Sequence, residues 1–401
     1  MRYDGGRRSV KSDIAVKTKS LIHKEIVQIV KIRRIGKITL DGYFNYGNVL
    51  QNYALQQMLL HYADSVETIW HEADNFLPRT GFHWTWKDPI KYILNWRNYR
   101  QRYIKDYLGH TLGMEMVRQG KLKDWSDRYI HTRTGVHDLH TIAEEYEYFV
   151  VGSDQVWNPY FGDLKNDFLS FAPKNKRIAY AASIATPQIP QDKQTIYKEG
   201  LNGIPYISMR EAEGANTVKQ FTGRDVPVVV DPTMLLTTKE WQNVSRQPAW
   251  YHGKEYILTY FLGNRPDAVI QNIAKKSGLP VINLLDTHVY EHYVTGVDEF
   301  IWAIEHASLV YTDSFHGTVF SILFQRPFVV CNRVGEGCVN KMSSRIDTLL
   351  GYFGLEERRG TLENGYTIEN PLHITYNDTQ AVFQREYQRA DQYLREALNC
   401  K

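Results

Sequence analysis

Cysteine is scarce. The chain holds three, Cys331, Cys338 and Cys400, an odd number with no CxxC pair, which excludes a disulfide framework and implies a reducing compartment. No stretch reaches 18 consecutive apolar residues, and Lys24 and Glu25 interrupt the run from Leu21 to Val30. Neither a spanning helix nor a secretory leader is therefore expected, and the chain reads as cytoplasmic. Excess charge of one sign is also missing. Lys plus Arg number 48 against 45 Asp plus Glu, a formal +3, so there is no global field for nucleic acid and none is expected as a partner. HExxH and clustered Cys/His are absent, which predicts no metal. GxGxxG and GxxxxGK[ST] are absent too, so the standard dinucleotide and phosphate-loop fingerprints do not apply.

What is present suits a large globular protein. The 401 residues are 43% hydrophobic and 13% aromatic, enough apolar surface for two cores and more than one core usually serves. Charge is segregated along the chain. The first 40 residues carry eleven Lys or Arg and three acids, which leaves the remainder net acidic. Residues 1–34 read as a basic extension in which Ile14, Leu21, Ile22, Ile26, Ile29 and Val30 recur near helical spacing. A second unusual tract, about 81–131, interleaves Trp84, Trp86, Tyr92, Trp96, Tyr99, Tyr103 and Tyr107 with Lys and Arg. It reads either as a helical insertion whose aromatics pack inward or as a surface for sugars, lipid headgroups or, least favoured, bases.

From Ile35 the pattern alternates strand, loop and helix. Ile35–Leu40, Val66–Trp70, Tyr148–Val151, Arg177–Ala182 and Pro205–Ser208 form one set of predicted strands. Val226–Val230, Tyr256–Phe261, Pro280–Leu284, Leu309–Thr312 and Phe328–Cys331 form a second. Continuous apolar strands separated by helices imply parallel sheets covered on both faces. The expected fold is α/β, two Rossmann-like doubly wound domains facing across a cleft: residues 35–208, residues 209–375, and a C-terminal helix over 376–401 that packs back on the first domain. Ligands in such sheets bind beyond the carboxyl ends of the strands.

Four loops at such ends carry polar residues that packing does not require. Asn45-Tyr-Gly47-Asn48 offers a glycine turn and free amides at a helix start, suited to an oxygen-rich ligand or to simple capping. Ser153 and Asp154 follow a buried strand, and Asp154 is a candidate proton acceptor or helix cap. Arg210 presents a planar fork for carboxylate or phosphate, or pairs with a neighbouring Glu. The run Thr312-Asp313-Ser314-Phe315-His316-Gly317 sets an imidazole at a helix start whose amides attract anions, the arrangement of an acid/base station.

Together these loops resemble the polysaccharide pyruvyl transferase family, whose members are similar in outline to GT-B glycosyltransferases. The resemblance runs from about Ile35 to about Leu355. It rests on Asn-Tyr-Gly-Asn-Val-Leu-Gln-Asn-Tyr-Ala-Leu-Gln (45–56), Val-Val-Gly-Ser-Asp-Gln-Val-Trp-Asn-Pro (150–159), Ser-Met-Arg-Glu (208–211), Asp-Pro-Thr-Met-Leu-Leu (231–236) and Thr-Asp-Ser-Phe-His-Gly-Thr-Val-Phe-Ser (312–321). It implies transfer of an enolpyruvyl unit from phosphoenolpyruvate, a co-substrate rather than a cofactor, to two hydroxyls of a sugar or lipid-linked oligosaccharide, giving a cyclic ketal and phosphate. In that scheme His316 is the acid/base residue and Asp154 orients or deprotonates the acceptor. Arg210 holds the donor's anionic groups, with Asn45, Gly47, Asn48, Ser153, Asp313, Ser314, Gly317 and Arg345 lining the substrate site.

One position departs from the family. Some members carry Arg-Leu-His where this chain has Ser314-Phe315-His316. The work of the missing cation is expected from the amides of Ser314 to Gly317, or from Arg326, Lys341 or Arg345. The basic extension and the aromatic tract would suit peripheral contact with a membrane bearing the acceptor. Two rivals stay open: a nucleotide-sugar glycosyltransferase using Glu299 or Asp313 near a ribose, and a carbohydrate-binding protein of a polysaccharide complex without turnover.

Overall fold

A computed structural model describes residues 32–40, 42–71, 110–186, 188–334, 344–360 and 368–400. Most of the basic extension and the aromatic part of the 81–131 tract lie outside the described residues, as do Lys341 and Cys338.

The first sheet is six-stranded and wholly parallel, in the order β3-β2-β1-β4-β5-β6. Its strands are β1 (Ile32–Ile38), β2 (Ala63–His71), β3 (Thr132–Val136), β4 (Tyr148–Val151), β5 (Arg177–Ala182) and β6 (Tyr206–Met209). Helix α1 (Tyr46–Leu59) joins β1 to β2, and α2 (His110–Tyr129) precedes β3. Helix α3 (Gln194–Asn202) joins β5 to β6, and α4 (Ala212–Thr222) follows β6. The second sheet holds β7 (Ile257–Tyr260), β8 (Val281–Asn283), β9 (Leu309–Thr312), β10 (Phe328–Cys331) and β11 (Arg359–Gly360) in the order β11-β10-β9-β7-β8. Its helices are α5 (Asp267–Ser277), α6 (Val297–Glu305), α7 (Phe315–Leu323) and α8 (Ser344–Phe353), and α9 (Thr379–Ala397) closes the chain.

The first order is the dinucleotide-binding one and the second the flavodoxin-like one, two varieties of doubly wound sheet. The central strands are buried on both faces, β4 and β9 with scarcely a polar residue, because helices cover each side. Each sheet reverses its strand order at one point, between β1 and β4 in the first and between β7 and β9 in the second. A crevice opens at each reversal, where the loops leave in opposite directions.

Three expectations change. β1 starts at Ile32, so residues 32–34 belong to the first sheet rather than to the extension. The weakly apolar β3 and the two-residue β11 escape the sequence pattern. Val226–Val230 forms no strand of the second sheet. Met209 N donates to Pro227 O (3.0 Å) and Val229 N to Met209 O (2.9 Å), a single bridge beside β6. Pro227 has no N–H to continue a ladder and Pro232 turns the chain, so the segment carries the buried Asp231 to Arg210, at the end of β6.

Helix α9 returns across the first sheet. Tyr393 Oη donates to Ala179 O (2.9 Å), and Tyr62 Oη bonds Asp391. No helix among the described residues is long and apolar enough to cross a membrane.

Candidate active site

The loops that leave the two reversals meet between the sheets, where Gly47, Asp231 and His316 are in contact. On the first side, the Asn45 side chain caps α1 by accepting from Asn48 N (3.0 Å). Tyr46 Oη donates to Thr295 O (2.8 Å) and its ring stacks on Phe300 at 4.2 Å, which pins the start of α1 to the second domain. Gly47 then lies directly on His316: a Cβ there would sit 2.1 Å from His316 Nδ1. The glycine is needed for room.

The turn after β4 is equally constrained. Gly152 has φ +125°, and a Cβ on it would meet Tyr180 O at 2.1 Å. Ser153 N donates to Gln51 Oε1 (3.0 Å), and Gln51 Nε2 to Thr39 Oγ1 (2.8 Å). These bonds hold Asp154 at φ 62°, a left-handed conformation unusual outside glycine and tolerated best by Asp and Asn. In this conformation the Asp154 carboxylate points inward to Arg210.

Five charged or titratable side chains meet there. Asp231 Oδ2 accepts from Arg210 Nη1 (2.8 Å) and Ser153 Oγ (3.0 Å), and lies 3.6 Å from His316 Nε2. Asp231 Oδ1 accepts from Thr233 N (3.0 Å) and Thr233 Oγ1 (2.7 Å). Arg210 Nη2 donates to Asp154 Oδ1 (3.0 Å), and Arg345 Nη1 stands 3.7 Å from the same oxygen. The Phe315 ring underlies the group, 4.7 Å from the Arg210 guanidinium carbon, 5.9 Å from that of Arg345, and edge-on to His316 at 5.2 Å. Every member is buried.

Burial by itself would raise both carboxyls, but neighbouring cations overturn it. His316, then Arg210, hold Asp231 far below the usual carboxylate range. Arg210, His316 and Arg345 hold Asp154 below it as well. Burial would lower Arg210, yet Asp154, Asp231 and Glu211 reverse that and keep its guanidinium charged. Arg345 differs. Burial and the like charge of Arg210 pull it down to about 10, with Asp154 and Glu211 offsetting only part. Arg345 is thus the incompletely neutralised cation of the cluster.

Several buried polar atoms here have no hydrogen-bond partner: His316 Nε2, Arg210 Nε, Arg345 Nε, Asn48 Nδ2 and Oδ1, Ser183 Oγ and Glu211 Oε2. Native interiors leave few such atoms, and each needs a reason. Here they belong to loops and helix starts that follow β1, β5, β6 and β9, together with α8.

Measured against expectation, His316, Arg210, Arg345, Asp154, Ser153, Gly47 and Asn48 come together. Several expected roles are corrected. Asp154 is bound to a guanidinium and held low, so it is an anchor for Arg210 and a poor proton acceptor. Asp313 accepts from Leu262 N and Gly263 N (both 2.8 Å) with Arg333 Nε at 3.6 Å, so it fastens the loop after β7. Ser314 Oγ caps α7 by accepting from Gly317 N (3.2 Å), and Ser314 N donates to Thr312 Oγ1 (3.0 Å), so those two amides are not open to an anion. Asn45 is a cap. Arg326 lies past the far end of α7, its Nε bonded to Phe324 O (3.2 Å).

Glu299 is equally engaged: Oε2 accepts from Gly296 N (2.7 Å) and Lys121 Nζ (3.1 Å), and Oε1 pairs with Arg246 (3.2 Å). Both carboxylates named for a ribose thus hold the scaffold instead. Sequence reasoning gave no separate role to Asp231, Phe315 or Glu211. Among the described residues no group of three or more His, Cys, Asp or Glu is placed to hold a metal ion.

Structural similarity is broad and shallow. The chain is similar to the UDP-GlcNAc 2-epimerase of Neisseria meningitidis bound to UDP-GlcNAc (10% identity, 90% of this chain and 100% of that one, TM-score 0.42). It is similar also to the S. aureus MnaA–UDP co-structure (10%, 92% and 98%, TM-score 0.44) and to E. coli ADP-heptose lps heptosyltransferase II (10%, 91% and 98%, TM-score 0.33). No curated protein matches the sequence. The family model of the polysaccharide pyruvyl transferases matches residues 45–333, from the α1 cap through both crevices to just beyond β10. The matched span contains Gly47, Asp154, Arg210, Asp231 and His316, and on that match the chain belongs to the polysaccharide pyruvyl transferase family, a family of transferases.

Proposed function

We propose that the protein transfers the enolpyruvyl unit of phosphoenolpyruvate to two hydroxyls of a sugar in a surface polysaccharide, capsule or exopolysaccharide, or in its lipid-linked precursor. The acceptor step takes place at the cytoplasmic face of the membrane, with phosphoenolpyruvate as co-substrate and no resident cofactor. One observation carries the reading: His316 Nε2, buried and without a hydrogen-bond partner, shares a cluster with two guanidiniums, one incompletely neutralised.

The chemistry asks for that combination. Protonated His316 gives its proton to the methylene carbon of the donor, and the positive charge that develops at the adjacent carbon invites a hydroxyl. Arg345, with the free Nε of Arg210, balances the donor's carboxylate and phosphate. Asp231 Oδ2, 3.6 Å from Nε2, sets a carboxylate beside the imidazole. Arg345 takes the place of the cation absent at Ser314. The nucleotide-sugar alternative loses support because Glu299 and Asp313 are both engaged by backbone amides and cations.

The test is direct. Incubation with phosphoenolpyruvate and a panel of p-nitrophenyl hexopyranosides and lipid-linked oligosaccharides should release phosphate and give the quaternary ketal carbon in a 13C spectrum. His316→Gln should lower that rate by ~10²–10⁴, the usual worth of general acid–base catalysis. Release of a nucleoside diphosphate from a sugar nucleotide, with none of phosphate, would sink the reading.

A further inference from the structure

Glu211 holds the N-cap position of α4, with φ −129° and ψ 150°, yet its side chain makes no cap hydrogen bond. It reaches instead to the turn after β5, where Oε1 accepts from Ile184 N (3.0 Å) and Ala185 N (3.4 Å). That turn is built for it. Ala185 has φ 55°, a conformation that points successive amides the same way, and Ser183 N is tied to Asp154 O (2.9 Å). One oxygen of Glu211 is thus fixed by two amides. The other, Oε2, is buried without a partner, as is the hydroxyl of Ser183, the residue just before Ile184.

Asp154 and Asp231, the two carboxylates of the cluster, are unsuited to take a proton, because each is bound to the Arg210 guanidinium. Glu211 makes no ion pair among the described residues, although Arg210 is its neighbour in sequence. An acceptor hydroxyl that attacks carbon must lose its proton to something.

We propose that Glu211 Oε2 takes that proton and that Ser183 Oγ orients the same hydroxyl; this rests on the pyruvyl transfer proposed above. The protons balance. His316 donates one to the donor's methylene carbon, whose π electrons form the new C–H bond. The first acceptor oxygen adds to the adjacent carbon and gives its proton to Glu211. The carbon–oxygen bond to phosphate breaks with its electron pair on phosphate, which receives the proton held by Glu211 and leaves as hydrogen phosphate. The second hydroxyl closes the ring and returns its proton to His316. Both residues end as they began.

Glu211→Gln tests this without removing the tether, because the amide oxygen still accepts from Ile184 N and Ala185 N. In the full chain, the variant should keep the parental melting temperature and bind phosphoenolpyruvate within about twofold by calorimetry, while phosphate release falls ~10²-fold or more. A parental protein that releases phosphate beside a Gln variant that does so within about fivefold overturns the role of Glu211 alone. A parental protein that releases none overturns the pyruvyl transfer itself, and the base role falls with it. Should the Gln variant fold poorly, Glu211→Ala with added formate replaces it: recovery of rate with formate supports the base, and full activity of the Ala variant without formate overturns it.

Discussion

Gly47 and His316 touch: the α-carbon of one, on the first helix of the first domain, lies against the imidazole of the other, on the second domain, and a single added methyl would come within 2.1 Å of Nδ1. The two domains are thus registered at the His316 imidazole. Tyr46, one residue earlier, secures the same contact through Thr295 and Phe300. A small displacement of α1 is therefore a displacement of the histidine.

Gly47→Ala should pry that contact apart. We expect phosphate release to fall about 100-fold and stability to drop by ~1–3 kcal/mol, the usual cost of overpacking a tight interior. Steady-state rates and thermal melting read both. A variant with parental kinetics would show that the imidazole can turn aside freely.

Asp231→Asn removes a charge that Arg210 and His316 face. Breaking a buried pair typically costs ~3–5 kcal/mol, and the loss should appear in urea unfolding at pH 7. The sign of the pH effect follows from the direction of the shift. Asp231 and Asp154 are held below their unfolded values near about 4, so their contribution is complete above that pH and is lost as acid titrates the folded carboxyls. Acidification below pH ~4 should therefore destabilise the parent more steeply than Asp231→Asn, and equal slopes would contradict the arrangement.

Arg345 behaves oppositely. Its folded pKa is lowered, to about 10, so its charged form is disfavoured by folding and the residue costs stability at neutral pH. Arg345→Met should leave the melting temperature unchanged or higher, while the KM for phosphoenolpyruvate rises ~10–100-fold for loss of a charged hydrogen bond. A melting temperature lowered by several degrees would place Arg345 in the scaffold instead.

Phe315 faces both guanidiniums and the imidazole. Each cation–π contact is worth ~0.5–2 kcal/mol. Phe315→Leu should raise the donor's KM by ~2–30-fold with a smaller change in kcat, and Phe315→Tyr should restore it. Equal behaviour of Leu and Tyr would mean that the ring only fills space.

The site was legible where chemistry sits at the end of an apolar run. His316, Arg210, Asp154 and Gly47 each follow a strand or open a helix, and a loop at that place in a parallel sheet faces the cleft whatever the rest of the chain does. The reading failed where a polar residue's partner lies far away in sequence. Asp313 and Glu299 look like free acids in a sequence and prove to be fastened to Leu262, Gly263, Gly296 and Lys121. Val226–Val230 has the composition of a strand, but Pro227 within it, Pro232 just after it and the neighbouring edge of β6 reduce it to a single bridge.

Local pattern by itself determined the α/β class, the two parallel sheets and the stations on their loops, because hydrophobic periodicity and turn chemistry act over a few residues. The roles of the carboxylates were decided only in three dimensions. Asp154, Asp231 and Glu211 are alike as acids; what separates them is which guanidinium or amide, brought from 21 to 56 residues away in the pairs Arg210–Asp231 and Arg210–Asp154, each one meets after folding. Electrostatic interactions in a buried site depend on distances of a few ångströms, and those distances are set by how the two sheets meet.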